Sequence, residues 1–555
     1  MRTGKLFTPI LAALLATVAV AQDAAPPADA RLDTQLTLNL THVTVGDLCW
    51  VIEKRTGAVV NPADTETGDL LVHAVGEMTA RDLLEALREA LLLEWEHDGR
   101  ASSPRYALRR TPDSIRQERA IAANAENIAW ENVRRGVEYY TGLEAALARQ
   151  GESSPSVSFQ TALAKILMTL DESAVAALRA GRTVSVPLSA LPPELRDQVG
   201  DPLRQRVESS QHAPNGEPLP PLGDPKTWRV DVKAQVAYGR AAAIDLEPVL
   251  HAAARSSSAT IHGMPARTSV GKTENVRLPS ALETADDALP VLPRALPISP
   301  RQRFERWEDM ATWLTEALGI AIVADAYRTD DDRRTSYPRD GETAVQYIDR
   351  LARGGMSLWG LSGKTVTFRR MEWPTLRLVQ PPESAARRWE THLAVDGRLS
   401  EEDVIEIGGL TTWQAFNLIN AVPSLGLVNR LTWDFVRLWH ELPPASRRAA
   451  QAGGVRIGDL PLVPRSIAAG IAEKHFGALP ARVVARTLFT VVKEELNWTT
   501  TLDPGVARPL NPHFGIGRAQ GYGRQRTSRR DDVIKSLMQA GGVTDEKDLP
   551  PSLRN

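Results

Sequence analysis

The clearest pattern along the chain is an amphipathic helix that occurs twice and ends each time at a glycine. In the first helix the apolar residues follow the i, i+3, i+4, i+7 spacing of one helix face, at Val45, Leu48, Cys49 and Ile52. The second helix has the same spacing, at Trp307, Met310, Ala311 and Leu314. Gly57 and Gly319 follow, where a left-handed C-cap favours glycine, and a short β-branched run comes after each.

The similarity continues downstream of both glycines. TARDLLEALREALLLEWEHDG aligns with ETAVQYIDRLARGGMSLWGLSG, which brings Trp95 into register with Trp359. Each copy closes with an alternating strand that ends in two arginines, at Arg110 and at Arg370. The offset between the copies is nearly the same at the glycines, at the tryptophans and at the final arginines. We therefore predict two small β-α-β-β-α-β modules, at 35–110 and 304–370.

A second pair of similar segments predicts a helical module after each α+β module. LDESAVAALRAG ends at Gly181 and LPPASRRAAQAG ends at Gly453, and each opens with acids or prolines, which are favoured at helix N-termini. The helical modules are predicted at 113–205 and 376–500. The predicted fold class is therefore α+β, a tandem duplication in which each β-α-β-β-α-β module precedes a mainly helical one.

Composition sets the other boundaries. They are a signal peptide at 1–21, a linker at 22–34, Pro-rich linkers at 206–227 and 265–302, a short β-containing segment at 228–264, and a Gly/Arg/Pro-rich tail at 501–555. Alternation from Trp228 to Val236 predicts a strand whose partner the sequence does not identify. The tail is predicted to be largely disordered, with a short helix at 531–540.

The segment 1–21 is typical of a secretory signal peptide, with Arg2 and Lys5 before an apolar run and Ala19-Val20-Ala21 at the cleavage position. The alternative is a membrane anchor, but the run of about 15 residues is shorter than the roughly 20 that a spanning helix requires. The uncharged stretch 407–429 contains Asn and Gln side chains and a proline, which favour a buried helix followed by a turn. We predict an exported protein of the periplasm or cell surface, without stable membrane insertion after cleavage.

Charge and cysteine content argue against two further classes of protein: a basic nucleic-acid-binding protein and a disulfide-stabilised scaffold. The 555 residues include 66 basic and 68 acidic side chains, so the chain has no overall positive field for nucleic acid. Its single cysteine, Cys49, cannot form a disulfide within the chain, and the helix pattern places it in the core as a small residue. Trp95 and Trp359, at the same register, are predicted to be structural anchors.

The order of elements in 35–110 is strand, helix, strand, strand, helix and a closing pair of strands. With LNLTHVTVGDLCWVIEKRTGAVV and MTARDLLEALREALLLEWEHDG, it resembles the short N-terminal domain shared by secretins and TonB-dependent transducers. The resemblance covers 35–110 in the first copy and 304–370 in the second, where prolines occupy the region of the first strand. It implies a periplasmic protein-interaction module of the kind used in secretion, pilus or signalling assemblies.

The chain contains short matches to cofactor-binding and catalytic motifs, but these matches lack the flanking elements or companion motifs that the function requires. ARTSVGKT at 266–273 fits a loose phosphate-loop pattern and contains Ser269 and Lys272 at a serine–lysine spacing, but prolines on both sides leave no room for the strand and helix that phosphate binding requires. The other signatures of serine–lysine enzymes are absent. GIGRAQGYG at 515–523 has the wrong spacing for a dinucleotide fingerprint. We therefore predict no catalytic residue and no cofactor-binding residue.

A metal site is not predicted either. The ten histidines are scattered, no HExxH or close His, Cys and carboxylate grouping appears, and the acidic run 330–332 does not fit a calcium loop. A cluster of arginines in the tail could be a solvated surface or could contact an anionic partner. It consists of Arg518, Arg524, Arg526, Arg529 and Arg530.

Export, doubled modules and the lack of a site motif together indicate a non-enzymatic interaction protein of the cell envelope, whose partner is another envelope protein. Two alternatives stay open. One is an envelope hydrolase with a site assembled from dispersed residues, and the other is a structural surface-layer component.

Overall fold

The computed structural model describes residues 29–97, 104–209, 222–236, 243–253, 255–264, 276–282, 304, 307–328, 337–339, 341–422, 425, 430–477, 479–516, 533–550 and 553. Over these ranges the chain is a mixed α/β protein with several small sheets. None of the helices described has the length and apolar character that crossing a membrane demands.

The first module splits its strands between two sheets. Its elements are β1 Gln35–Thr44, α1 Val45–Thr56, β2 Val59–Pro62, α2 Thr65–Gly68, β3 Leu71–Thr79, α3 Ala80–Leu91, β4 Leu93–His97 and β5 Arg105–Arg110. β1 pairs with β3, and a separate sheet has the order β2-β5-β4. Capping boxes begin the two long helices, with Thr44 and Asp47 for α1 and Thr79 and Asp82 for α3.

The next unit joins helices to a second sheet. Its elements are α4 Pro112–Ala148, α5 Pro155–Leu167, α6 Glu172–Arg179, β6 Val184–Pro187, α7 Pro193–Ser209, β7 Arg229–Val236, β8 Ile244–Ala252, β9 Arg255–Ser258 and β10 Ile261–His262. The sheet order is β10-β8-β7-β6, with β9 on β8. The predicted boundaries 113–205, 206–227 and 228–264 therefore need correction, because β6 lies inside the predicted helical module but pairs with β7, whose other partner is β8. A strand as short as β6 shows no clear period in the sequence.

The second module repeats the three-stranded part of the first. Its elements are α8 Pro279–Leu282, α9 Trp307–Leu318, β11 Ala321–Ala326, α10 Ala344–Gly354, β12 Ser357–Ser362 and β13 Thr365–Arg370. β11 is parallel to β13 and β12 is antiparallel to it, as β2 and β4 are to β5. Gly57 and Gly319 both have positive φ, at 71° and 64°.

Side-chain details recur at the same register. The Trp95 indole donates to Glu85 Oε1 at 3.0 Å, and the Trp359 indole donates to Asp349 Oδ1 at 2.7 Å, with the same separation along the chain in both modules. Thr343 caps α10 with a capping box, as Thr79 caps α3. Both tryptophans thus anchor a strand to the preceding helix.

Over the described residues, the structure does not show the complete β-α-β-β-α-β module predicted at 304–370. In the described part it contains no counterpart of β1 or β3. Pro293, Pro297 and Pro300, which occupy the position of a first strand in the sequence, lie outside the described residues. β11 instead pairs with β3 of the first module, so one five-stranded sheet has the order β1-β3-β11-β13-β12. Residues 276–278, within the predicted linker 265–302, lie against the edge strand β12: Leu278 N donates to Trp359 O at 2.7 Å, and Trp359 N donates to Val276 O at 2.9 Å.

The C-terminal unit also differs from the prediction for 376–500. Its elements are α11 Trp373–Val379, α12 Glu383–Val395, α13 Glu401–Gly408, α14 Thr412–Ala421, α15 Arg430–Glu441, α16 Pro444–Gln451, β14 Val455–Arg456, α17 Leu462–Phe476, α18 Ala481–Arg486, β15 Leu488–Lys493, β16 Asn497–Asp503 and β17 His513–Gly515. The helices are accompanied by a sheet of order β14-β15-β16-β17. Within 407–429, the described residues form the end of α13 and then α14.

The sheets that follow Gly181 and Gly453 are built alike. β6-β7-β8 and β14-β15-β16 have the same order and are antiparallel throughout. Arg196 donates to the Leu191 carbonyl at 3.0 Å, and Arg465 donates to the Leu460 carbonyl, at the same separation along the chain, at 2.8 Å. The segments predicted as helical copies are therefore similar α+β units.

Two segments predicted to be linker or tail belong to the core of the first module. Leu32, in the predicted linker 22–34, is fully buried in a short 3-10 helix. The predicted tail 501–555 contains the end of β16 and all of β17, which belong to the sheet of the C-terminal unit. It also contains a helix, α19, which spans 533–541. Its residues Ile534, Leu537 and Ala540 pack in the same core as α1 and α3, because they form the apolar face of an amphipathic helix.

The five-stranded sheet separates two hydrophobic cores. Ala321 and Val323 of β11 face the first core, with α1 and α3, whereas Ile322 and Ala324 face the second, with α9 and α10. This alternation follows from the two-residue period of a strand. Gly76 on β3 permits the close approach of β11, since a Cβ at this position would lie 2.9 Å from Ala321 Cα.

Replacing Gly76 with alanine should weaken this junction. The added Cβ meets backbone of β11, and φ at Gly76 is 108°, a conformation that L side chains rarely adopt. We expect a loss of about 3 kcal/mol in unfolding free energy, measured by urea denaturation. Gly142→Ala, in an open position on α4, is the control and should be neutral or stabilising by about 0.5–1 kcal/mol. Equal behaviour of the two variants would contradict the role of Gly76.

Leu537→Ala tests the packing of α19 on the first module. Leu537 is fully buried, so its truncation should lower the unfolding free energy by about 2–5 kcal/mol. The exposed Lys535→Ala on the same helix should change it by less than about 0.5 kcal/mol. A Leu537→Ala variant as stable as Lys535→Ala would show that α19 does not contribute to the core.

Candidate functional site

Several sequence candidates fall where the structure gives no description. The ranges 266–273 and 330–332 and the arginines of the tail lie outside the described residues, as does most of 515–523. Cys49 is buried in the first core, and burial raises the pKa of its thiol. A buried thiol with a raised pKa is a packing residue and a poor nucleophile. Trp359 is fully buried and Trp95 is half-buried.

A buried ion network, formed by Asp47, Arg328, Glu383, Arg387 and Glu390, connects three parts of the chain. Glu383, on α12, accepts from Arg328 Nε at 2.5 Å and from Arg387 Nε at 2.8 Å. Arg387 Nη1 lies 2.9 Å from Asp47 Oδ2 in the first module. Arg328 follows β11 of the second module and also binds Glu390. The network therefore joins both modules to α12.

The charges of this network are mutually stabilised. Burial alone would raise the pKa of Glu383, but Arg328 and Arg387 lower it below the usual value. Burial opposes the charge of Arg328, yet Glu383 and Glu390 hold the pKa of Arg328 well above its usual value. A carboxylate held ionised by two arginines cannot act as a general acid, and its lowered pKa makes it a weak base. The network is suited to structural cohesion.

A serine, a histidine and an aspartate also meet in the C-terminal unit. His392 Nδ1 lies 2.6 Å from Asp403 Oδ2, and the Ser400 hydroxyl donates to the same oxygen at 2.9 Å. In a catalytic triad the histidine lies between the serine and the acid, which differs from this arrangement. Ser400 and Asp403 form the capping box of α13, which accounts for their positions.

A histidine cluster, formed by His42, His73 and Glu308, lies at the junction of the two modules. In the described part of the chain, these are the only three His, Cys, Asp or Glu residues whose ligand atoms all lie within 4.8 Å of one another. His42 Nδ1 is 3.2 Å from Glu308 Oε1. The His42 and His73 rings pack edge to face, with centroids 4.3 Å apart.

A β-bulge accounts for the position of His42. The register of β1 with β3 shifts between Leu40 and Val43, so Thr41 and His42 lie opposite His73. His42 has φ of 52°, in the left-handed region, where histidine is several-fold enriched among residues other than glycine. If the pairing of Leu40 with Ala74 continued without a bulge, Thr41 would lie opposite His73. The extra residue of the bulge brings the His42 side chain beside that of His73 instead.

The cluster has one closed side and one accessible side. His73 is 4% exposed and its ring packs 5.0 Å from Trp307, centroid to centroid, on the face of the sheet toward the second core. The His42 side chain is 9% exposed and that of Glu308, in the first turn of α9, is 23% exposed. Two imidazoles and a carboxylate are ligands that suit zinc and other divalent transition metals.

This cluster was not predicted from the sequence, because its members lie far apart along the chain, on β1, β3 and α9. Pairing LTHVT with LVHAV as adjacent antiparallel strands would have brought the two histidines close together. Glu308 has no such signal, since its position depends on the contact between the two modules.

The outer edge of β1 is a second feature of this region. β1 is the end strand of the five-stranded sheet, and no described strand pairs with its outer edge. Ala80 N donates to Thr34 O, which fixes the hydrogen-bonding register and directs the backbone N–H and C=O groups of Gln35, Thr37 and Asn39 outward. The side chains of these three residues are exposed.

Glu383→Gln tests the buried ion network. The variant keeps the shape of the side chain but leaves two buried guanidiniums undercompensated, so the unfolding free energy at pH 7 should fall by about 3–5 kcal/mol. Because the pKa of Glu383 is lowered in the folded state, its stabilisation is present above the usual pKa of 4.5 and is lost as pH falls through the folded value.

The difference between the native chain and Glu383→Gln should therefore shrink in acid, as measured by urea unfolding at several pH values. Glu402→Gln, exposed on α13, is the control and should change stability by less than about 0.5 kcal/mol. A difference that does not depend on pH would argue against a charge-based role.

Comparison of the chain with models of known protein families, with curated proteins and with solved structures finds no match. The likeness of residues 35–110 to the short N-terminal domain of secretins and TonB-dependent transducers therefore stays a resemblance of sequence pattern.

Proposed function

We propose that the chain is an exported, non-enzymatic protein of the cell envelope that binds another envelope protein by β-strand addition. The outer edge of β1 carries this proposal. Its backbone groups at Gln35, Thr37 and Asn39 point outward, and a partner strand would satisfy them. The envelope location rests on the signal-like segment at 1–21.

The shape of β1 supports such binding. Leu36, Leu38 and Leu40 are buried in the first core, so the strand is held in place from one face. An edge that is already ordered loses little conformational entropy when a partner strand pairs with it. The bulge at His42 ends the regular edge, which limits a partner to about six residues of pairing.

The distribution of charge favours binding over catalysis. The acids of the buried ion network are neutralised by arginines within the chain, and Ser400 is bound to Asp403 as a helix cap. These groups are therefore occupied by structural contacts. The resemblance of residues 35–110 to an interaction domain of envelope assemblies agrees with this proposal.

Site-specific photo-crosslinking in cells tests the proposed edge. A photoreactive amino acid at Thr37 should give one discrete adduct with another envelope protein, since its side chain stands beside the outer edge. The same substitution at Glu172, exposed on α6, is the matched control and should not give that adduct. Asn39→Pro, which removes an outward N–H, should decrease the adduct at position 37 at least five-fold.

Three results would contradict the proposal. They are equal adducts at positions 37 and 172, no adduct at position 37, and an adduct at position 37 only with a second copy of the chain. The last result would favour a self-assembling surface component. Cell fractionation checks the location, and a chain found in the cytoplasm would exclude the envelope role.

A further inference from the structure

We propose that the histidine cluster binds a divalent transition-metal ion, with Zn²⁺ as the reference ion, and that this ion fastens the second module to the first. This inference is independent of the proposed partner. It rests on His42, His73 and Glu308, which meet from β1, β3 and α9.

The distances suit an ion after small movements of the side chains. Zinc binds histidine nitrogen and carboxylate oxygen at about 2.0–2.2 Å, which places tetrahedral ligand atoms about 3.4 Å apart. His42 Nδ1 and Glu308 Oε1 are 3.2 Å apart, and all three ligand atoms lie within 4.8 Å of one another. Side-chain rotations that move the ligand atoms by about 1 Å would allow all three residues to bind one ion, with water as the fourth ligand.

The surroundings of the cluster provide further support. The left-handed backbone of His42 at a bulge is a strained conformation, and such conformations concentrate at ligand sites. Trp307 closes one side of the cluster and holds the His73 ring. Glu308 is partly exposed, which gives an ion a path from solvent.

Metal binding would couple to the docking of the modules. His42 and His73 belong to the first module, whereas Glu308 lies far along the chain, in the second. An ion that binds all three residues requires the docked arrangement, so its binding free energy adds to the stability of the junction.

Zinc titration of the full chain, purified without a histidine tag and treated with a chelator, tests the site. A chromophoric competitor should report one tightly bound Zn²⁺ per chain at pH 7.5. Glu308→Gln should lower the affinity at least ten-fold, as should His42→Asn, in which asparagine tolerates the left-handed backbone. Glu316→Gln, exposed on the same helix, is the matched control and should bind as the native chain does.

A thermal readout separates the junction from a surface site. Zn²⁺ should raise the midpoint of unfolding for the native chain and Glu316→Gln, but not for Glu308→Gln. Addition of Co²⁺ should give a visible absorption band that Glu308→Gln lacks. No zinc uptake by the native chain, or equal zinc affinity of Glu308→Gln and Glu316→Gln, would overturn the proposal. Circular dichroism of each variant without metal verifies that it is folded.

Discussion

The pairing of β3 with β11 is the constraint on which the rest of the structure depends. It joins residues near position 75 to residues near position 322, so a long stretch of chain must fold back before the contact forms. The resulting sheet has no solvent-facing side at β11, because Ala321 and Val323 face one core while Ile322 and Ala324 face the other. Neither core can lose this strand without exposing apolar surface. Each module alone would be small and hence marginally stable, and the two modules share one five-stranded sheet.

Charged groups specify how the modules meet. Glu89 on α3 accepts from the Thr367 hydroxyl at 2.7 Å, and its backbone carbonyl accepts from Arg369 at 3.0 Å, on the first-core side of the sheet. The buried ion network adds α12 to the same junction. Buried ion pairs contribute little net stability compared with apolar packing, but a mismatched arrangement leaves unpaired charges and is strongly unfavourable. We therefore expect the network to favour one docking geometry, and the apolar contacts on both faces of the sheet to supply most of the free energy of docking.

The sequence predicted those features that are set by local chemistry. Glycine caps at Gly57 and Gly319, the helix faces and the register of Trp95 with Trp359 all follow from patterns within about twenty residues. Prediction from the sequence failed where the contacting elements lie far apart along the chain. β6 and β14 are too short to show a period, and no local signal reveals that β11 pairs with β3. A short helix at 531–540 was predicted, but its packing as α19 on the first core was not. The histidine cluster was missed for the same reason, since its third member reaches the site only through that pairing.

The junction also determines which edge of the five-stranded sheet lacks a strand partner among the described residues. Of the two edges of the five-stranded sheet, that of β12 is covered by residues 276–278, whereas that of β1 has no strand partner in the described part. The bulge that turns His42 toward His73 interrupts this edge at the point where Glu308 approaches. A change in the bulge would therefore alter both the length of the edge and the geometry of the histidine cluster. An ion held by His42 would fix the bulge, and with it the end of the surface that a partner strand can pair with. Metal binding and partner binding would then be linked through a single strand, with the same coupling free energy in both directions.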